Sequence, residues 1–332
     1  MEIGLALPQF DFSVHGECPL RWDTVIAWAQ RAELLGFGSV WLADHLAWSI
    51  EQYGAAPGRW QGYEPLAVLA GLARATSRVR LGTLVLVNQL RPAAVLTKAV
   101  ATIDVLSGGR MTVGLGAGWF EPDFTDAGIP FERPGVRLAQ LAEAIQVVKG
   151  LSAGGPFTFE GRFHRAAGAR CLPPSVQQPA PPVWVGGKGD RLLELCARHA
   201  DGWNTVWTWT IEDWRVRAAV LDAACERVGR EPATVARSVG LYTLVGENEA
   251  DLQRQWRRLQ ELSPPGVVDG VGLADWRKGH LVGTVEEVAE QLAGWKAAGV
   301  TSIVANLGTV PFGVGQMVGV DALATACTLV EP

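Results

Sequence analysis

The sequence predicts a (β/α)8 TIM barrel with insertions. Three observations point to it. Eight short apolar strand candidates are spread along the chain, helical segments separate nearly all of them, and strands and helices never segregate into separate halves. A length of 332 residues suits one such barrel, read as a single domain over 1–332 with insertions at about 46–62, 152–182 and 263–283.

The elements follow in order. Residues 2–8 read as the first strand. Residues 21–35 read as a helix, with Trp22, Val25, Ile26, Ala29 and Ala32 near helical spacing and Gly36 as its stop. The second strand is 39–43. A long connection rich in Trp, Tyr, Gly and Pro, 46–62, exceeds the roughly 12 to 15 residues beyond which connections in compact domains are usually functional, and is expected to wall the site. A helix at 65–75 leads to the third strand, 79–87, then a helix at 93–106 and the fourth strand, 111–115. This stretch is the most informative of the chain: two buried-strand patterns around one helix form a parallel βαβ unit, ending in Gly114, Gly116 and Gly118.

A helix at 134–149 carries Leu138, Leu141, Ile145 and Val148 on one face. The run FTFEGRFH, 157–164, alternates aromatic and polar residues and predicts a hairpin around Glu160-Gly161. Strand 183–185, a helix from the 186–189 turn to near His199, strand 202–206, helix 211–228, strand 238–245, helix 248–261, an irregular stretch 263–283, helix 284–298 and strand 301–306 complete the series.

Composition narrows the function classes. Hydrophobic residues at 48% and charged residues at 19% supply a large core, and a net charge of −5 offers no basic field for nucleic acid. No apolar run reaches membrane-spanning length and the start, MEIGLALPQF, does not read as a secretory signal, so a cytoplasmic protein is expected. Five cysteines without CxxC spacing and five histidines without HxH or HExxH spacing leave no metal site to expect.

The chemistry-bearing positions fall at strand ends, where barrel enzymes keep their active sites. Asp44 and His45 follow the second strand: His45 is the candidate proton carrier and Asp44 the group that fixes its tautomer or position, against the alternative of a surface loop with an Asp cap. Leu84, Val85 and Val87 end the third strand with an apolar run suited to one face of a flat heterocycle, and Asn88 could bond its polar edge; an ordinary buried strand fits equally well. Gly116, Ala117 and Gly118 admit close backbone approach, with Trp119 as an aromatic wall. Gly186, Gly187, Lys188 and Gly189 open a helix and make a candidate phosphate seat, or a plain turn. Among the other tryptophans, Trp207 follows a strand end while Trp184 reads as core. Glu121 and Asp123 are secondary acid/base candidates, because acids in a first helical turn also serve the helix dipole. A metal-dependent barrel hydrolase would need more strand-end ligands than the sequence offers, and a non-catalytic flavin carrier on the same fold stays open.

The segments GFGSVWLADH, VRLGTLVLVNQLRPAAVLTKAVATIDVLSGGRMTVGLGAGWFEPDF, GIPFERPGVRLAQLAEAI, PPVWVGGKGD and ADGWN together resemble the luciferase-like monooxygenase superfamily, and in particular its branch that uses the deazaflavin coenzyme F-420. The resemblance implies a TIM barrel, commonly a homodimer. It also implies a deazaflavin across the strand ends with its phosphate tail near the GGKG loop, Asp44 and His45 by the redox ring, and a cis peptide at Leu84-Val85. FMN, with oxygen chemistry, is the alternative cofactor. The FMN branch that oxidises sulfonates and chelators usually carries a QAGSS-type loop, which VWVGGKGDR does not resemble. Trp119 stands where sugar-phosphate dehydrogenases of the family carry a glutamate, which argues against glucose 6-phosphate. The expected activity is hydride transfer to or from a small organic substrate, with no nucleic-acid or membrane partner.

Overall fold

In the computed structural model, which describes residues 1–315 and 317–330, eight parallel strands close into a ring. They are β1 (Glu2–Ala6), β2 (Ser39–Leu42), β3 (Arg80–Thr83), β4 (Met111–Gly116), β5 (Val183–Gly186), β6 (Gly202–Thr205), β7 (Ala236–Gly246) and β8 (Ser302–Asn306). Each pairs with the next, and β8 pairs back onto β1 with Glu2 opposite Ser302 and Leu5 opposite Ala305. The fold is a (β/α)8 barrel.

Helices cover the outside of the ring because their apolar residues fall on one side. In Asp190–His199, Leu192, Leu193, Leu195, Cys196 and Ala197 are buried while the charged residues face out. Ends are set locally. Pro65 opens Pro65–Ala75 while the Glu64 carboxylate accepts from the Ala67 N–H, and Thr284 with Glu287 forms a capping box at the start of Val285–Ala297.

The barrel interior is filled by two indoles. Trp41 on β2 and Trp184 on β5 stack at 5.2 Å between ring centroids. They fit because facing positions lack side chains: a Cβ on Gly82 would lie 2.2 Å from the Trp41 ring, and one on Gly202 2.5 Å from Trp184. Trp203 and Trp214, 5.8 Å apart, instead pack between β6 and the helix Ile211–Arg227.

The structure differs from the sequence reading in four places. The third strand is not continuous over 79–87: it stops at Thr83, the cis peptide that the resemblance implied joins Leu84 to Val85, and Leu86–Val87 pairs separately with β4. The second hairpin strand is Arg165–Ala169, beyond the 157–164 run, because the turn occupies 161–164. The stretch 263–283 is not irregular throughout. It holds a short helix, Leu273–Trp276, and a strand, Leu281–Thr284, that pairs with the distal half of the eleven-residue β7. A last helix, Val318–Leu329, completes the series after β8.

Candidate active site

The carboxyl ends of the strands surround a cavity of about 650 Å³. Asp44 and His45 after β2, Leu84, Val85 and Val87 after β3, Gly116, Ala117, Gly118 and Trp119 after β4, and Gly186, Gly187 and Lys188 after β5 all line it. Two of the residues expected to hold the cofactor do not, nor do the secondary candidates Glu121 and Asp123. Asn88 is buried behind β4, where its side-chain amide donates to the Gly116 carbonyl at 2.8 Å. Gly189 caps the helix Asp190–His199 and lines an adjoining opening of about 450 Å³.

The ionisable pair at the end of β2 divides. His45 Nδ1 lies 2.7 Å from Asp123 Oδ2, and the Leu46 N–H donates to Asp123 Oδ1 at 2.9 Å. A carboxylate can only accept, so Nδ1 carries the proton and Nε2 is left as the nitrogen that can exchange one. The side chains are 9% and 1% exposed. Asp44 was expected to orient His45. It turns instead to Arg91, accepting from Nη1 at 2.7 Å and Nη2 at 2.9 Å, and from the Val87 N–H at 2.9 Å. Arg91 also reaches Glu64 at 2.6 Å. Burial opposes the Arg91 charge, yet Asp44 and Glu64 outweigh it and raise its pKa above the ordinary arginine value. Asp44 therefore ties the loop after β3 to the rim. Asp123 supplies the partner because the short helix Glu121–Asp126 turns it inward, while Glu121 stays exposed.

Aromatic rings build the rest of the wall. Trp48 stacks on His45, centroids 4.5 Å apart and planes 17° off parallel, and Trp119 meets the imidazole edge-on at 5.7 Å. Tyr53, Trp207, Tyr242 and Phe312 line the far side. Phe312 adopts a φ of 58° and its N–H donates to Asn306 Oδ1 at 2.6 Å, so the buried Asn306 at the end of β8 shapes that loop. A second cis peptide, Val206-Trp207, follows β6. Tyr53, not singled out from the sequence, comes from the 46–62 connection expected to wall the site; Tyr242 and Phe312 escaped the sequence reading, the first in an uninterrupted apolar strand and the second beyond the last predicted element.

Val85 explains the glycines. A Cβ on Gly116 would lie 2.7 Å from a Val85 methyl, and one on Gly186 2.8 Å from the other. Real side chains do not approach that closely, so both positions must stay bare for Val85 to project over them. At the mouth, Arg137, Lys188 and Arg191 line the adjoining opening, and its one acid, Asp190, is paired with Arg217. Burial lowers the Arg137 pKa. The result is an apolar, aromatic chamber with one oriented imidazole, leading to a cationic exit at a helix N-terminus.

Comparison with known proteins gives the chain a family. Residues 1–302 match the family model described as luciferase-like monooxygenase. The chain is similar, at 29% identity over 310 residues that span 88% of it and 79% of its relative, to an F-420-dependent hydroxymycolic acid dehydrogenase of Mycobacterium tuberculosis. Two solved structures share its fold. One is an F-420-dependent secondary alcohol dehydrogenase in complex with an F-420–acetone adduct, with a TM-score of 0.78, 19% identity and coverage of 100% of this chain and 99% of that one. The other is an EDTA monooxygenase from a Chelativorans species, with a TM-score of 0.79, 15% identity and coverage of 100% and 95%.

Proposed function

The chain belongs to the luciferase-like monooxygenase family, and on that premise we propose that it is an oxidoreductase that uses the deazaflavin coenzyme F-420 to move a hydride to or from a small, largely apolar organic substrate. The observation that carries this reading is the imidazole of His45, held by Asp123, at the edge of an aromatic chamber whose exit is cationic. The similarity to an F-420-dependent dehydrogenase supports the same choice.

The residues present fit such a coenzyme. A chamber of about 650 Å³ has room for a planar tricycle and a small substrate together, and Val85 over Gly116 and Gly186 offers an apolar surface for one face of a ring. Gly187, Lys188, Gly189 and Arg191, with Arg137 opposite, suit an anionic tail. When bound, the coenzyme supplies the hydride donor or acceptor.

The protein's own part is positioning, shielding and proton handling. His45 Nε2 takes the proton of a substrate hydroxyl in one direction and returns it in the other, and Asp123 fixes the tautomer that allows this. Trp48 and Trp119 hold the imidazole between them and keep water from it. Asp44 acts through Arg91 as a positioning residue for the loop after β3.

Titration of the purified protein with oxidised F-420 and, separately, with FMN, followed by quenching of tryptophan fluorescence, tests the choice of coenzyme. F-420 is expected to bind the more tightly. Tight FMN binding with no response to F-420 would overturn the reading in favour of a flavin monooxygenase.

A further inference from the structure

His45 is braced from two sides, by Asp123 and by Trp48, and one exposed residue stands behind both braces. Asp123 and Asp126 are three positions apart in the helix Glu121–Asp126, so they share a face of it. Asp123 binds the His45 imidazole and the Leu46 N–H, where the 46–62 connection begins. Asp126 binds Arg59, where the same connection returns: Nη1 donates to Oδ1 at 3.2 Å and Nη2 donates to Oδ2. One short helix therefore holds the connection at both ends. Arg59 also precedes Trp60–Gln61, the strand that pairs with Ala47–Trp48 and sets Trp60 opposite Trp48, the indole stacked on His45. We propose that Arg59 is a positioning residue for His45: by clasping Asp126 it keeps the Asp123 carboxylate on Nδ1 and the Trp48 ring on the imidazole face.

The tip of the connection does not supply this hold. It meets the 263–283 stretch through two bare backbones: a Cβ on Gly54 would lie 2.6 Å from the Gly266 carbonyl oxygen, and one on Gly266 2.2 Å from that of Gly54. Among the described residues no hydrogen bond or ion pair crosses that seam. At the root, the Gln61 carbonyl accepts from the Asp11 N–H at 2.9 Å, so the connection stays folded without Arg59. What Arg59 adds is the tie to the helix that carries Asp123. Six residues are too few for a helix to hold its own shape, so the aim of the Asp123 carboxylate depends on what grips that turn: buried Phe124 from beneath and Arg59 from the side of the connection. Asp126 foremost, and Asp123 with it, raise the Arg59 pKa, so the two acids share one cation. The Arg59 and Asp126 side chains are 44% and 34% exposed, and an ion pair so placed adds little to global stability. Its loss is therefore read at His45 and not in unfolding.

This inference rests on His45 being the proton carrier proposed above, but its test needs neither coenzyme nor turnover. Long-range proton–nitrogen NMR of the protein alone reports the His45 tautomer, and the ring current of Trp48 reports the stack through the carbon-bound imidazole protons. The His45 signals are those lost in His45→Gln. Arg59→Ala and Asp126→Ala are each expected to raise the minor, Nε2-protonated tautomer roughly two- to fivefold and to reduce the ring-current shift, with urea stability nearly unchanged. The double variant is expected to go no further than either single one, and Arg59→Lys to restore most of both signals. Arg227→Ala, which breaks the exposed pair with Glu194 on the outer helices, leaves His45 as in the parent. His45 signals that stay unchanged in Arg59→Ala, or that move only in step with a loss of urea stability, overturn the assignment. Failure of the coenzyme reading shows separately, as absence of F-420 binding by a protein in which Arg59→Ala still alters His45.

Discussion

His45 and Asp123 lie 78 positions apart in the chain and meet at 2.7 Å at the rim of the barrel. The contact selects one imidazole tautomer. Asp123→Asn keeps the shape but replaces an obligate acceptor by an amide that can also donate. Turnover in the proposed reaction is expected to fall roughly 10- to 1000-fold with KM and affinity for the proposed coenzyme nearly unchanged, and the pH profile to move with it. An unaltered rate and profile in steady-state assays would sink the assignment of His45 as the proton carrier.

Asp44 gives a different signature. It is 2% exposed and bidentate to Arg91, so Asp44→Asn leaves a partly buried guanidinium with only the more exposed Glu64 as its anionic partner. A stability loss of about 3 kcal/mol is expected from urea unfolding, larger than for Asp123→Asn. If Asp44→Asn abolishes turnover in a protein of unchanged stability, Asp44 acts in the chemistry and not through the loop.

Gly186→Ala would set a methyl 2.8 Å and 3.1 Å from the two methyls of Val85. Overpacking of this kind costs about 1–3 kcal/mol and is expected to push Val85 into the chamber and weaken binding of the proposed coenzyme. Trimming the neighbour in Gly186→Ala with Val85→Ala is expected to restore most of both losses. A double-variant cycle in which the two changes simply add would show that they do not touch.

Acid stability has an identifiable contributor remote from the site. The Glu33 carboxylate accepts from the backbone N–H groups of Ser77, Arg78 and Val79. Burial raises its pKa, but these hydrogen bonds outweigh it and bring the value to about 2 from 4.5. Since the folded pKa is depressed, the stabilisation is complete above pH 4.5 and is lost as pH falls toward 2. Glu33→Gln is expected to flatten the pH dependence of stability in that window, modestly because Glu33 is partly exposed to solvent. Superimposable acid-unfolding curves for variant and parent would exclude the contribution.

The barrel was legible because its signals are local. Short apolar runs such as Val183–Gly186, followed by helices with one apolar face such as Asp190–His199, report their own positions. So do the strand ends, which is why the residues from Asp44 to Lys188 named from the sequence largely share one cavity. Partnerships were not legible. Asp44 is adjacent to His45 in sequence, yet successive residues of an extended segment point to opposite sides, so Asp44 meets Arg91 and leaves His45 to Asp123. The glycines were read as room for a ligand; Gly116 and Gly186 do line the cavity, but the space a Cβ would fill there is taken by Val85, a neighbour that only the ring closure brings near. Tyr242 sits in the strand Ala236–Gly246, whose continuous apolar character hides which of its residues reach the cavity.

The stacked Trp41 and Trp184 lie two residues below Ala43 and Gly186, at the base of the chamber. They turn a tube into a cup. Whatever the chamber binds must therefore enter and leave at the carboxyl ends of the strands and not through the barrel below. The floor is thus laid by a pair of indoles that do not themselves line the cavity.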